Sequence, residues 1–144
     1  MIVLDTNVVS ALAGEHPDSA VVSWLDSQPA ESIWITSITV FEARYGIAAL
    51  PAGRRRQQLA LRFEQFLKED ISNRVLDFDS LAASAAAELS AERRRAGTPI
   101  DFRDTQIAGI VVAHKAALAT RNVRHFLDLS VSVVNPWEDA LSGN

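Results

Sequence analysis

Ile2-Val3-Leu4-Asp5-Thr6-Asn7-Val8-Val9 opens the chain with an apolar triplet, an acid and two short polar residues before the apolar pattern resumes. Three consecutive aliphatic side chains read as a short strand buried on both faces. Asp5 ends it, and Val8, Val9 and Leu12 then recur at helical spacing. A strand that runs straight into a helix is the first half of a βαβ unit, and the same cadence recurs downstream. Ala20, Val21, Trp24 and Leu25 mark a second helix after His16-Pro17-Asp18. Ser32 to Thr36 reads as a second strand, and from Ser37 the period lengthens through Val40, Phe41, Arg44, Tyr45 and Ala48 to the Pro51-Ala52-Gly53 break. Arg54 to Ile71 reads as one longer amphipathic helix with Leu59, Phe63, Phe66 and Leu67 on its apolar side.

The remainder keeps the alternation. Arg74 to Asp77 is a third short strand, Asp79 or Ser80 caps an alanine-rich helix to about Ala96, and Gly97-Thr98-Pro99 stops it. A helix from about Arg103 to Ala116 follows, with His114 on its apolar stripe. Leu118-Ala119-Thr120 is a strand, Val123 to Phe126 a short turn or helix, and Val131 to Val134 a last strand. Strands alternating with helices predict an α/β fold: a three-layer α/β/α sandwich around a short-stranded, mainly parallel central sheet. The 144 residues make a single domain, 1–144, with about 138–144 a frayed tail.

Composition narrows the chemistry. No cysteine is present, which excludes a thiol nucleophile, a disulfide scaffold and cysteine-based metal sites. With 48% hydrophobic and 22% charged residues the chain is a folding one. Its apolar runs fall short of the ~20 residues of a membrane span, and no basic leader precedes them, so the expected location is the cytoplasm with no membrane partner. Fourteen Lys plus Arg against 18 Asp plus Glu leave a formal charge of −4, which argues against binding nucleic acid by bulk electrostatics.

The acids then carry the question. In open α/β sheets ligands bind outside the carboxyl ends of the strands. Asp5 ends the first strand, Glu42 lies in the opening turns of the helix after the second, and Asp104 begins the helix before the fourth. Thr120-Arg121-Asn122 sits where that fourth strand ends. Carboxylates crowded together suit a hard divalent cation with oxygen ligands. Each acid also suits a plainer role: Asp5, Asp101 and Asp104 can cap a helix or favour its dipole. Arg54-Arg55-Arg56 and Arg93-Arg94-Arg95 are local basic clusters, readable as solvated helix faces or as phosphate grips. His16, His114 and His125 show no evident carboxylate or serine partner in the sequence.

Ile2-Val3-Leu4-Asp5-Thr6-Asn7, Ser37 to Gly46 around Glu42, Gly97-Thr98-Pro99-Ile100, Asp104 with Ile107-Ala108, Leu118 to Asn122 with Phe126, and Asn135-Pro136-Trp137 together resemble PIN-domain ribonucleases. The nearest likeness is to the VapC-like toxins of type II toxin–antitoxin modules, including FitB-like members. The resemblance implies a metal-dependent endoribonuclease toxin in which Asp5, Glu42 and Asp104 hold Mg²⁺ or Mn²⁺. It also implies neutralisation by a VapB-like antitoxin that lies in a groove, and a homodimer within a larger toxin–antitoxin assembly. Asn122 stands where a fourth acid is often found, so it counts among the catalytic candidates as an amide. Asp101, Thr6, Thr120 and Arg121 are accessory candidates. Two alternatives remain open at this point: a catalytically weak PIN scaffold that binds antitoxin and dimerises, and a domain that carries phosphate on Asp5.

Overall fold

A computed structural model describes residues 1–99 and 101–138. Its sheet is formed by β1 (Ile2–Leu4), β2 (Ile33–Thr36), β3 (Val75–Leu76), β4 (Ala117–Ala119) and β5 (Val133–Val134), all parallel, in the order β3-β2-β1-β4-β5. It is covered by the helices α1 (Thr6–Ala13), α2 (Ser19–Asp26), α3 (Ser37–Ala48), α4 (Arg54–Gln65), α5 (Ser80–Arg95) and α6 (Phe102–Ala113). The order reverses beside β1, whose Ile2 pairs with Ile33 on one side and Ala117 on the other. The crevice of such a sheet opens where neighbouring strands run off in opposite directions, here between the ends of β1 and β4.

Alternation along β1 explains the two cores. Leu4 points into one cluster with Val8, Val21, Ile35, Phe63 and Ile71; Val3 points into the other with Ile107, Ile110, Leu118 and Phe126. Both residues are fully buried, as a central parallel strand requires. On the second face α5 and α6 pack backbone to backbone. A Cβ added at Gly109 would fall 2.6 Å from the Ala82 carbonyl oxygen and 2.7 Å from the Ala86 Cβ.

Several boundaries differ from the expectation. The helix expected over residues 54–71 ends at Gln65. A widened π-helical turn, Phe66–Asp70, replaces its last part, with the Ile71 N–H donating to the Phe66 carbonyl at 3.2 Å. That turn brings Phe66, Leu67 and Ile71 all into the core, and Ser72 and Asn73 then reverse the chain at φ 49° and 57°. The helix expected to reach Ala116 closes at Ala113, because Lys115 turns left-handed at φ 52°. His114, expected on the apolar stripe, sits exposed at that C-terminus. The last strand starts at Val133, not Val131. Glu138, the first residue of the expected frayed tail, is helical; 139–144 lie outside the described residues. Among the described residues no helix is long and apolar enough to cross a membrane.

Candidate functional site

Asp5 sits where β1 stops and α1 starts. As N-cap it accepts the Thr6 N–H at 2.8 Å on Oδ1, while the Thr120 hydroxyl, from the end of β4, donates to Oδ2 at 2.6 Å. The topology thus joins residues 115 positions apart across the switch point. Asn7 reinforces the junction: its Oδ1 accepts the Arg121 N–H at 3.2 Å, and its Nδ2 lies 3.5 Å from the Thr120 oxygen. Thr120 also accepts the Asn122 N–H at 3.0 Å, so its own proton is free to point at Asp5.

Glu42 enters from the second turn of α3. Thr36, the N-cap of that helix, holds the Thr39 N–H at 3.2 Å and donates its hydroxyl to Thr39 at 3.5 Å. Thr39 lies 2.9 Å from Thr6, and Thr6 donates to Glu42 Oε1 at 3.0 Å. Because the ionised carboxylate can only accept, the whole hydroxyl relay is oriented toward it. Glu42 Oε2 faces Arg103 Nη1 at 3.4 Å. Asp104, in the first turn of α6, pairs its Oδ2 with His125 Nδ1 at 3.2 Å. Asp101 is the N-cap of α6 and accepts the Asp104 N–H at 3.1 Å.

Burial pushes the Asp5 carboxyl above its usual range, and the charges of Asp104 and Glu42 push the same way. The Thr120 and Thr6 hydrogen bonds pull it back. A buried acid that feels two others is a site with unmet negative charge, and its all-oxygen donor set fits a hard divalent ion. Yet among the described residues no three acid or imidazole groups converge as a finished metal cluster. Glu42 and Asp104 are instead engaged by Thr6, Arg103 and His125.

The expected residues are not all drawn together in one way. Asp5, Thr6, Glu42 and Thr120 are joined by hydrogen bonds, while the Asp104 carboxylate pairs with His125 and reaches Asp5 only through its charge. Asn122 is exposed beside Thr120, at the start of the short 3₁₀ turn Val123–Phe126. Arg121 turns outward and stacks over Trp137, its guanidinium carbon 4.7 Å from the ring centroid, while the Trp137 indole N–H donates to Asp18.

Three residues escaped the sequence reading. His125 has a carboxylate partner after all, because the 3₁₀ turn after Thr120 doubles back to the crevice. Arg103 precedes Asp104 yet reaches across to Glu42. Arg93, in a run readable as a solvated face or a phosphate grip, is only 5% exposed; its guanidinium binds both Asp128 oxygens at 2.8 and 2.9 Å, the His125 carbonyl at 2.7 Å and the Thr105 hydroxyl at 3.2 Å.

Two hollows flank the acids. One, about 260 Å³, runs from Thr6 and Glu42 between α1, α3 and α4 over Val9, Ile47, Leu59 and Phe63. The other, about 440 Å³, opens beyond Asp104 toward the 123–128 segment.

Residues 2–130 match the model of the PIN domain family. The chain is 42% identical over 140 residues to the VapC ribonuclease Y4jK of Sinorhizobium fredii, covering 97% of this chain and 100% of that protein. It is 37% identical to Toxin FitB of Neisseria gonorrhoeae, over 96% of this chain and 100% of the relative. Among solved structures, FitAB bound to an IR36 DNA fragment superposes with a TM-score of 0.85 at 36% identity, over 95% of this chain and 96% of that one.

Proposed function

The chain belongs to the PIN-domain family, and on that premise we propose that it is an endoribonuclease toxin, neutralised by a VapB-like antitoxin, whose acids act through a bound divalent cation. The observation that carries the site is the buried Asp5, pinned to Thr120 across the switch point and raised in pKa with Glu42 and Asp104 contributing. Asp5, Glu42 and Asp104 are the residues that would hold Mg²⁺ or Mn²⁺. When bound, such an ion supplies activation of water near neutral pH and neutralisation of charge on the phosphate.

The chain's own residues do the rest. Thr120 and the Thr6 N–H fix both oxygens of Asp5, and the Thr36–Thr39–Thr6 relay fixes Glu42, so two acids from different elements face the crevice without rotamer search. With both oxygens engaged and the residue 3% exposed, Asp5 is poorly placed as a phosphate-accepting nucleophile. Asn122 offers a neutral oxygen at the rim, and Arg121 a cation beside it. The apolar hollow beginning at Glu42 suits an apolar antitoxin segment that ends on a basic side chain, and the exposed, stacked Phe41 and Tyr45 on α3 suit self-association into a homodimer. The reading places the protein in the cytoplasm, with RNA as substrate.

The test is cleavage of RNA by the purified chain with Mg²⁺ or Mn²⁺, with chelator, and with Asp5→Asn. Activity that needs the ion and disappears in the variant is expected. Equal cleavage by wild type and a folded Asp5→Asn would overturn the assignment.

A further inference from the structure

Arg121 stands on the rim of the switch point, one residue beyond Thr120, whose hydroxyl donates to Asp5. Two contacts fix it there. Its backbone N–H donates to Asn7 Oδ1 at 3.2 Å, which ties it to the first turn of α1. Its guanidinium carbon lies over the Trp137 ring, 4.7 Å from the centroid, although the residue is exposed. Trp137 is anchored in turn. Its ring packs against the first core cluster, its backbone N–H donates to Asn135 Oδ1 at 3.0 Å, and its indole N–H donates to Asp18 Oδ2 at 3.1 Å.

The guanidinium is held by an aromatic face and not by an acid. Asp18 belongs to the same network, but its Oδ1 accepts the Ala20 and Val21 N–H groups that open α2, and its Oδ2 accepts the indole. Among the described residues the Arg121 side chain makes no hydrogen bond and no ion pair. The other bases around the acids are spent: Arg103 faces Glu42, His125 faces Asp104, and Arg93 binds Asp128. Arg124 is also exposed and unpaired among the described residues, but it lies over no aromatic ring that would fix it. A clasp built for stability would spend the arginine's donors on a neighbouring carboxylate. Contact through an aromatic face restrains the guanidinium and leaves its N–H groups for a ligand.

We propose that Arg121, held over Trp137, binds the backbone phosphate next to the scissile one, with Trp137 as its positioning residue, an inference that rests on the ribonuclease reading of the adjacent acids. A planar fork of unspent donors matches the outer oxygens of a phosphodiester. The scissile phosphate falls to Asp5, Glu42, Asp104 and their cation, whereas Arg121 turns away from them toward Trp137, so the phosphate it meets is the adjacent one. A strand passing three carboxylates meets an excess of negative charge, and Arg121 is the restrained cation at the rim that no acid contacts among the described residues. Every nucleotide carries the phosphate, so the contact sets the register of the strand without reading its sequence.

The experiment reads binding and cleavage separately. A fluorescein-labelled single-stranded oligoribonucleotide is titrated with the chain in chelator, by fluorescence anisotropy, over a series of salt concentrations. Arg121→Met weakens binding about fivefold or more and lowers the slope of log K against log salt by about 0.7, the share of one phosphate on a single strand. Arg54→Met, which removes the same charge from an exposed position at the start of α4, leaves the slope as in wild type. With Mn²⁺, Arg121→Met raises KM more than it lowers kcat, the mark of a contact made equally in ground and transition states. Trp137→Leu raises KM in the wild-type background and adds nothing in Arg121→Met. Unchanged binding and slope in Arg121→Met, an equal loss of slope in Arg54→Met, or a Trp137→Leu effect that persists in full in the Arg121→Met background would overturn the proposal. If Arg121→Met behaves as described in chelator while wild type cleaves no RNA with either ion, it is the ribonuclease reading that fails.

Discussion

Arg93→Met removes a guanidinium while keeping most of its aliphatic volume, and the structure allows the loss to be worked out contact by contact. The paired carboxylate, Asp128, has its side chain 44% exposed and rehydrates once freed, so that ion pair counts near the value of an exposed one, up to about 1 kcal/mol. Thr105 loses one partner but keeps its bond to the Asp101 carbonyl at 2.7 Å, and so stays satisfied. The His125 carbonyl is left unpaired in a part-buried turn, at about 1–3 kcal/mol. The buried methionine recovers some apolar burial. The net is a loss of about 2–3 kcal/mol, or roughly 6–12 °C in Tm for a chain of this size. Calorimetry of Arg93→Met, Asp128→Asn and the double variant separates the parts. Asp128→Asn alone should cost at least as much as Arg93→Met, because it leaves a 5% exposed guanidinium with one amide oxygen and no counter-charge, and the double variant should recover part of that loss.

The pH dependence carries its own sign. Arg93 holds the Asp128 carboxyl below the usual carboxylate range through their hydrogen bonds. A depressed acid stabilises the fold above its unfolded pKa of about 3.9, and that contribution is lost as pH falls through the lower folded value. The deficit of Arg93→Met relative to wild type is thus full at pH 6–7 and narrows in strong acid. A Tm change below about 2 °C at neutral pH, or a double variant less stable than Asp128→Asn alone, would refute this account.

Gly109→Ala drives a methyl into the Ala82 carbonyl and Ala86, so an overpacking loss of about 1–3 kcal/mol or more should appear in chemical denaturation. Asp5→Asn in chelator should raise Tm at pH 7–8: Asp5 is raised by burial and by its acidic neighbours, so its ionised form costs stability above the folded pKa, and the advantage should close as pH falls and wild type takes up the proton. A constant Tm difference between pH 4 and 8 would count against that cause. Arg103→Ala frees Glu42 from an exposed partner worth at most about 1 kcal/mol, so Mn²⁺ affinity, read by electron paramagnetic resonance, should tighten by no more than about fivefold. Weaker Mn²⁺ binding would show that Arg103 orders Glu42 instead of competing for it.

What the residues disclose in advance is what short range decides. The aliphatic triplet before Asp5, the Ser37 start of α3 and the Asp79 cap of α5 are local patterns, and the structure keeps them. The meeting of Asp5 with Thr120 depends only on the strand-end rule once the parallel sheet is granted. Arg93 is different. Spelled as Arg93-Arg94-Arg95 it looks like a solvated run, yet Ala82, Ala86, Leu89 and Arg93 are spaced by four, three and four and all are buried. That stripe was readable; the partners that make it tolerable, Asp128 and the His125 carbonyl, come from over thirty residues away and were not. The π-helical turn was hidden for another reason: Phe63, Phe66 and Leu67 fit an ordinary helix equally well.

A net charge of −4 first argued against nucleic acid, and the structure shows why a whole-chain count misleads. Asp5, Glu42 and Asp104, the acids proposed to hold the cation, lie near enough at the switch point for the last two to raise the buried Asp5, and the fold supplies bases beside them: Arg103 at Glu42 and His125 at Asp104. Those contacts are weak by design of geometry, one at 3.4 Å and the other at 3.2 Å, both with the basic partner more than half exposed. The hydroxyl bonds that aim Asp5 and Glu42 are shorter and better buried. So the acids are held firmly in direction and loosely in charge. An arrangement built for stability alone would have done the reverse, replacing Asp5 with an amide and burying the ion pairs. Metal-free stability gained by Asp5→Asn together with lost cleavage is the pairing that this reasoning requires, and a variant that gained neither would break it.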